Sequence, residues 1–166
     1  MKSKIYTLPS VIITVMILIA FLTGCEQTNL EPALGTAPGG GTLTAYKAYT
    51  LDSITGTGGV YGRVVFWKDN ANRTLVQLSV YNTVTGTSYP SGLYGGISGS
   101  TGQSLLQLYS VDGEKGEFST YKFFVIDNGS FYNNLDSYDA HINIFAGTTL
   151  IATGDIGKNA KPIEQK

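Results

Sequence analysis

The sequence predicts an all-β domain: a two-sheet antiparallel sandwich of about seven strands and immunoglobulin-like size, carried behind an N-terminal export segment. Three observations predict it. From Thr44 onward apolar residues recur with a period near two, and no window of a dozen residues sustains helical spacing. The composition favours strands and turns, with 21 glycines, 11 tyrosines and 7 phenylalanines against 2 methionines. Turn residues also interrupt the apolar runs at short intervals.

The opening strand is expected over residues 46–54. Residues 60–67 are rich in β-branched and aromatic side chains, and Lys68-Asp69-Asn70-Ala71-Asn72 after them is turn chemistry. In residues 75–81, Val76, Leu78 and Val80 share one face and Gln77 and Ser79 the other, so the two segments form a hairpin. A second hairpin is expected from residues 105–111 and 118–126 around Asp112-Gly113-Glu114-Lys115-Gly116, since Asp-Gly between apolar runs signals a turn. Residues 131–138 read as a loop or a single helical turn. Residues 140–146 and 149–153, joined by Gly147-Thr148, read as a closing hairpin. The expected core is Leu51, Val64, Phe66, Val76, Leu78, Val80, Leu106, Leu108, Phe123, Val125, Ile142, Ile144, Leu150 and Ala152, with Trp67 either core or an exposed aromatic at a strand end. A domain of this size buries enough apolar surface to fold without disulfides, and with a single cysteine no intrachain disulfide is possible.

The N-terminus reads as an address. Lys2 and Lys4 precede an uncharged run over residues 11–22, which is signal-peptide anatomy. As a helix those positions span roughly 18 Å, short of the ~30 Å hydrocarbon core, so a permanent span is the weaker reading. The run closes with Leu22-Thr23-Gly24-Cys25, which resembles the lipobox of bacterial lipoproteins. That resemblance implies cleavage after residue 24 and diacylglyceryl modification of Cys25. Two acyl chains suffice for stable anchoring at about 0.8 kcal/mol per buried methylene. Glu26 after the cysteine, in place of aspartate, favours the outer membrane. The domains expected are a signal peptide over 1–24, a lipidated cysteine and flexible Pro/Gly-rich tether over 25–43, a sandwich over 44–157 and a solvated tail over 158–166. As a coil of about 17 residues the tether reaches roughly 20–25 Å. Net charge is −1, and losing Lys2 and Lys4 leaves nine basic against twelve acidic residues. No clustered basic face suggests a nucleic-acid partner.

Several segments stand in a recognisable order. The strand over 60–67 is followed by Thr85-Gly86-Thr87-Ser88-Tyr89-Pro90, by Leu108 with Val111-Asp112-Gly113, by Leu135-Asp136-Ser137-Tyr138-Asp139-Ala140-His141-Ile142-Asn143-Ile144-Phe145, and by Gly154-Asp155-Ile156-Gly157. Over residues 49–157 this resembles the CHRD (chordin) domain of bacterial lipoproteins. The resemblance implies a Greek-key β-sandwich related in architecture to copper/zinc superoxide dismutase, in a mostly non-enzymatic extracytoplasmic setting. The family's histidines are replaced: Ser91-Gly92-Leu93-Tyr94 and Asn143-Ile144-Phe145 stand where it commonly carries imidazoles. Zinc or copper sites need several imidazoles, thiolates or carboxylates converging at about 2.0–2.3 Å, so no metal ligand set and no cofactor is expected.

Candidate sites are few. His141, the lone histidine, has no nucleophile motif near it and reads as a structural or surface residue. The glycine-rich stretch over 56–62 precedes a strand where a phosphate loop needs a helix, so it reads as a turn. Asp112, Glu114 and Glu117 lack EF-hand spacing and read as an acidic turn. Asn72-Arg73-Thr74 and Asn128-Gly129-Ser130 match a glycosylation sequon that a bacterial chain would not use. The stretch over 89–103, with Tyr89 and Tyr94, has the tyrosine, serine and glycine content of a recognition loop, or is a plain connection between sheets. The function expected is a lipid-anchored, non-enzymatic binding or structural module of the cell envelope. Its partners would be membrane lipid through acylated Cys25 and a glycan or envelope protein. The alternatives are a metal-binding CHRD/dismutase-like protein and a carbohydrate-binding module that stacks sugars on Tyr89, Tyr94 or Trp67.

Overall fold

The computed structural model describes residues 42–100 and 102–166. The expected signal peptide, the lipobox residues Leu22, Thr23, Gly24 and Cys25, and the tether through residue 41 lie outside the described residues.

Within them the protein is all-β. Eleven strands are present: β1 (Leu43–Ser53), β2 (Tyr61–Asp69), β3 (Thr74–Tyr81), β4 (Ser88–Tyr89), β5 (Ser91–Gly95), β6 (Ser104–Gln107), β7 (Val111–Asp112), β8 (Phe124–Ile126), β9 (Asp139–Ala146), β10 (Thr149–Gly157) and β11 (Glu164–Gln165). Residues 131–138, expected as a loop or a single helical turn, carry a 3-10 turn at Leu135–Ser137. The main sheet runs β6-β5-β9-β10-β1-β2-β3-β8 with β11 also on β1, and β4 and β7 form a separate small ladder. Every pairing is antiparallel. With β10 beside β1, and β1, β2 and β3 consecutive, the order is that of a Greek key.

β1 belongs to both halves of the sheet. From Leu43 to Leu51 it pairs with β2, and at Asp52 and Ser53 it pairs with β10. The sheet therefore curls into a sandwich-like body in which Tyr49, Leu51, Val64, Phe66, Val76 and Leu78 from one half pack with Ile142, Ile144, Ala152 and Ile156 from the other. Gly154 sits at the joint: a Cβ there would collide with the Thr50 carbonyl oxygen, so only glycine lets the two strands approach.

The β2–β3 hairpin forms as expected, and Asp69 explains its turn. The carboxylate is buried yet fully engaged. Oδ1 accepts the Ala71 and Arg73 N–H groups at 3.0 and 2.8 Å, and Oδ2 takes Arg73 Nε and Nη2, both at 2.7 Å. Asn72 supplies the left-handed residue, at φ 60°.

Several expectations change. The segments over 105–111 and 118–126 do not pair as one hairpin. The acidic turn forms between them, with Gly116 N–H on the Asp112 carbonyl and one bridge at Val111 and Phe118. Its arms then diverge, β6 to β5 and β8 to β3. Turn chemistry fixes only the residues inside the turn. Second, the expected loop over 89–103 contains β5, which lies between β6 and β9; its glycines masked the strand signal. Third, the tether does not extend to residue 43. Leu43 opens β1 and is buried against Leu75 and Phe123.

Fourth, the tail over 158–166 does not run free in solvent: β11 pairs Gln165 with Lys47 and Glu164 with Ala48, and Lys166 exchanges backbone hydrogen bonds with Tyr46. Fifth, a bulge between Leu150 and Ala152 puts Ile151 into the core and leaves Leu150 half-buried. Phe123 and Val125 also leave the main core for a second cluster with Leu43, Leu75 and Trp67.

Replacing Asp69 by alanine removes the acceptor of two backbone N–H groups and the carboxylate that pairs with the half-buried Arg73 guanidinium. Asp69→Ala is expected to cost about 3 kcal/mol, read as a lowered urea midpoint with an unchanged m-value. A midpoint within experimental error of the parent would show the clasp to be dispensable.

Candidate functional site

Two polar sites stand out among the described residues, and neither is contiguous in sequence. The first is a hydrogen-bonded chain on the outer face of β9 and β10. Alternation sends Ile142 and Ile144 into the core and His141, Asn143 and Phe145 to the opposite side. That side is covered: His141 is completely buried and Asn143 nearly so. The cover is the connection from β5 to β6. Gly96 N–H donates to the Asp139 carbonyl at 2.9 Å, Ser98 N–H donates to Asp155 Oδ1 at 2.5 Å, and the Tyr94 ring stacks on His141 at 5.9 Å.

The donors and acceptors fit in one direction. His141 Nδ1–H donates to the Gly96 carbonyl at 2.9 Å, so Nε2 is left to accept from Asn143 Nδ2 at 3.2 Å. Asn143 Oδ1 in turn accepts the Thr153 hydroxyl at 2.7 Å. Both imidazole nitrogens are thereby used inside the protein. His141 ties the covering loop to the sheet.

The second site is a polar cleft of about 660 Å³ beside the C-terminal turn, lined by Asp136, Gly157, Lys158, Asn159, Lys161 and Gln165 among others. Asp136, on the 3-10 turn, holds Lys47 Nζ at 2.7 Å, and that ammonium lies 5.5 Å from the centroid of the Tyr132 ring. Two of the lining residues are held by Asp139, which accepts the Asn159 amide at 2.9 Å and Lys158 Nζ at 2.9 Å. These two partners, the amide first, hold its carboxyl below the usual carboxylate range. Beneath Asp136 lies Tyr49, a core residue of β1. Burial pushes its phenol up to about 12; the Asp136 charge adds to this, the Gly157 backbone opposes it and Tyr132 adds a smaller share. Tyr132 is likewise pushed up to about 12 by burial and then by Asp136.

Lys47 and Asp136 are 89 residues apart, and no local pattern announces their pairing. The Gly154-Asp155-Ile156-Gly157 ending was the one usable signal, since Asp155 clamps the loop and Gly157 borders the cleft.

The three aromatics expected as sugar platforms are otherwise employed. Tyr89 is a core residue whose Oη accepts the Val84 N–H at 2.9 Å. Trp67 packs against Tyr46 with centroids 4.8 Å apart and donates Nε1–H to Gln77 at 3.1 Å. Tyr94 is half-buried between His141 and Phe145. The exposed rings are instead Tyr61 and Tyr81, a cross-strand pair 5.4 Å apart, and Tyr121. Among the described residues no group of three or more His, Cys, Asp and Glu side chains converges to hold a metal ion.

Two measurements test this geometry. Long-range ¹H–¹⁵N correlation spectra of the imidazole are expected to show the Nδ1–H tautomer of His141. An Nε2–H tautomer would reverse the assigned chain. Unfolded tyrosines ionise near 10, whereas Tyr49 and Tyr132 hold their protons to about 12. Unfolding therefore releases protons in that window, and stability falls as pH climbs through it, with no contribution from these groups below about 10. Tyr49→Phe is expected to flatten part of that fall in chemical-denaturation curves.

Comparison with protein-family models, with curated proteins and with solved structures gives no match.

Proposed function

We propose that this chain is a lipid-anchored, extracytoplasmic module of the bacterial cell envelope, a CHRD-like β-sandwich with a binding or structural role and no catalysis. The observation that carries the reading is Leu22-Thr23-Gly24-Cys25 closing an uncharged apolar run behind Lys2 and Lys4. Seventeen residues, 26–42, separate that cysteine from the first strand, so the sandwich is held near the membrane without entering it. The face over His141 supports a structural role for this residue, since its hydrogen bonds are spent on holding a loop.

The anchor is tested on the full chain in a bacterial host. Globomycin is expected to accumulate the unprocessed precursor, and Cys25→Ala to move the protein from the membrane fraction to a soluble one. Unchanged processing and unchanged fractionation would remove lipidation, and with it the envelope assignment.

A further inference from the structure

The buried chain through His141, Asn143 and Thr153 has a second complete arrangement. Thr153 Oγ1 lies 2.7 Å from Asn143 Oδ1 and 3.1 Å from the Ile142 carbonyl oxygen, so its one proton has two acceptors within reach. With the imidazole neutral, the hydroxyl serves Asn143 and the amide serves Nε2. A proton added at Nε2 turns that acceptor into a donor. Half a turn of the Asn143 amide about its Cβ–Cγ bond then brings Oδ1 to Nε2–H and Nδ2–H to Thr153 Oγ1, while the hydroxyl proton swings to the Ile142 carbonyl. Every contact of the chain is kept, and two of its hydrogen bonds reverse direction. The hold on the covering loop is the same in both arrangements, since Nδ1–H faces the Gly96 carbonyl in each.

A buried imidazolium also needs opposite charge nearby. Asp155 of β10 stands directly across from His141 in the strand register, on the same face, with one oxygen on the Ser98 N–H. On β5 the register partner is Tyr94, whose ring stacks on the imidazole at 5.9 Å, within the range at which an aromatic face attracts a cation. On β9 itself Asp139 shares the face two residues away, and its carboxylate is taken by Lys158 and Asn159. The covering connection over residues 96–103 brings no charged side chain. Asp155 is thus the counter-charge opposite the ring.

We propose that His141 and Asn143 form a two-state proton switch: the buried imidazole takes one proton from solvent, the Asn143 amide turns over, and the loop stays latched through Gly96. Only that proton is exchanged. The ring gains a positive charge opposite Asp155, and Thr153 keeps its hydroxyl proton throughout. Asn143 is the positioning residue of the switch, because an amide presents a donor to one state of Nε2 and an acceptor to the other. This assignment is independent of the lipid anchor.

The test uses the full chain in lipid nanodiscs, labelled with ¹⁵N at histidine and asparagine. With a single histidine in the chain, its ring signals are unambiguous. As pH is lowered from about 8 to about 5, the interval in which histidine ordinarily titrates, Nε2 is expected to become protonated in the folded protein with Nδ1–H retained. At the same midpoint the Asn143 amide protons are expected to lose their Overhauser contact with the imidazole ring and gain one with the Thr153 methyl group. Asn143→Leu, which offers an imidazolium no acceptor, is expected to weaken proton uptake by the ring at least tenfold, and Asn143→Asp, an acceptor only, to strengthen it at least tenfold. A packing role alone would move both variants the same way. Should either variant fail to fold, the Overhauser transfer in the parent still decides. An imidazole that stays neutral in folded protein at about pH 5, protonation only together with unfolding, or an Asn143 amide whose contacts ignore ring protonation would each overturn the proposal.

Discussion

The structure depends on β1 serving two partners. Its first nine residues pair with β2 and its last two with β10, so one strand joins the two halves of the sheet and sets the angle at which they close over the core. That arrangement requires close backbone approach at Thr50, which Gly154 permits by having no side chain. The inward alternation of β1, β2 and β3 then meets that of β9 and β10, and a single hydrophobic cluster fills the space between. A side chain at residue 154 would disturb register, curvature and core together, because all three are set at the same joint.

The polar sites follow from that closure. With β9 and β10 holding their apolar residues inward, His141, Asn143, Thr153 and Asp155 are forced onto the outer face, where the β5–β6 connection covers them. Burial there is tolerable only because each donor finds an acceptor: the loop carbonyl of Gly96, the imidazole, the amide and the hydroxyl form one directional series. Covering the face this way engages both nitrogens of the lone histidine. The cleft by Asp136 has a different character, open and ion-paired, with Tyr49 and Tyr132 holding their phenolic protons beneath it. Of its ion pairs, Lys158–Asp139 is exposed on both sides and contributes little to stability, whereas Lys47 is largely covered beneath Asp136.

The two sheet ends are managed unequally. At one end of the seam between them an aromatic contact between Tyr109 and Phe124 brings β6 and β8 together. At the other, small and branched side chains leave a gap, and Phe131 and Tyr138 form its floor with centroids 4.9 Å apart. A sheet that curls without closing must leave two edges somewhere, and here both border the same apolar cavity.

The sequence alone determined the all-β class, the β2–β3 and β9–β10 hairpins and, away from the bulge beside Leu150, the inward faces of their strands, because period-two alternation and turn residues are local properties. Tertiary structure alone decided which strand lies beside which. The arms around Asp112-Gly113 diverge to different partners, β5 emerges from a glycine-rich stretch without apolar alternation, and β11 is held only because β1 leaves an edge open beside it. It also decided the sites: Tyr89 and Trp67 are engaged by neighbours, and Lys47 meets Asp136 across 89 residues. Pairing between distant strands is selected by the whole core that must be buried, and no short window of sequence holds that information.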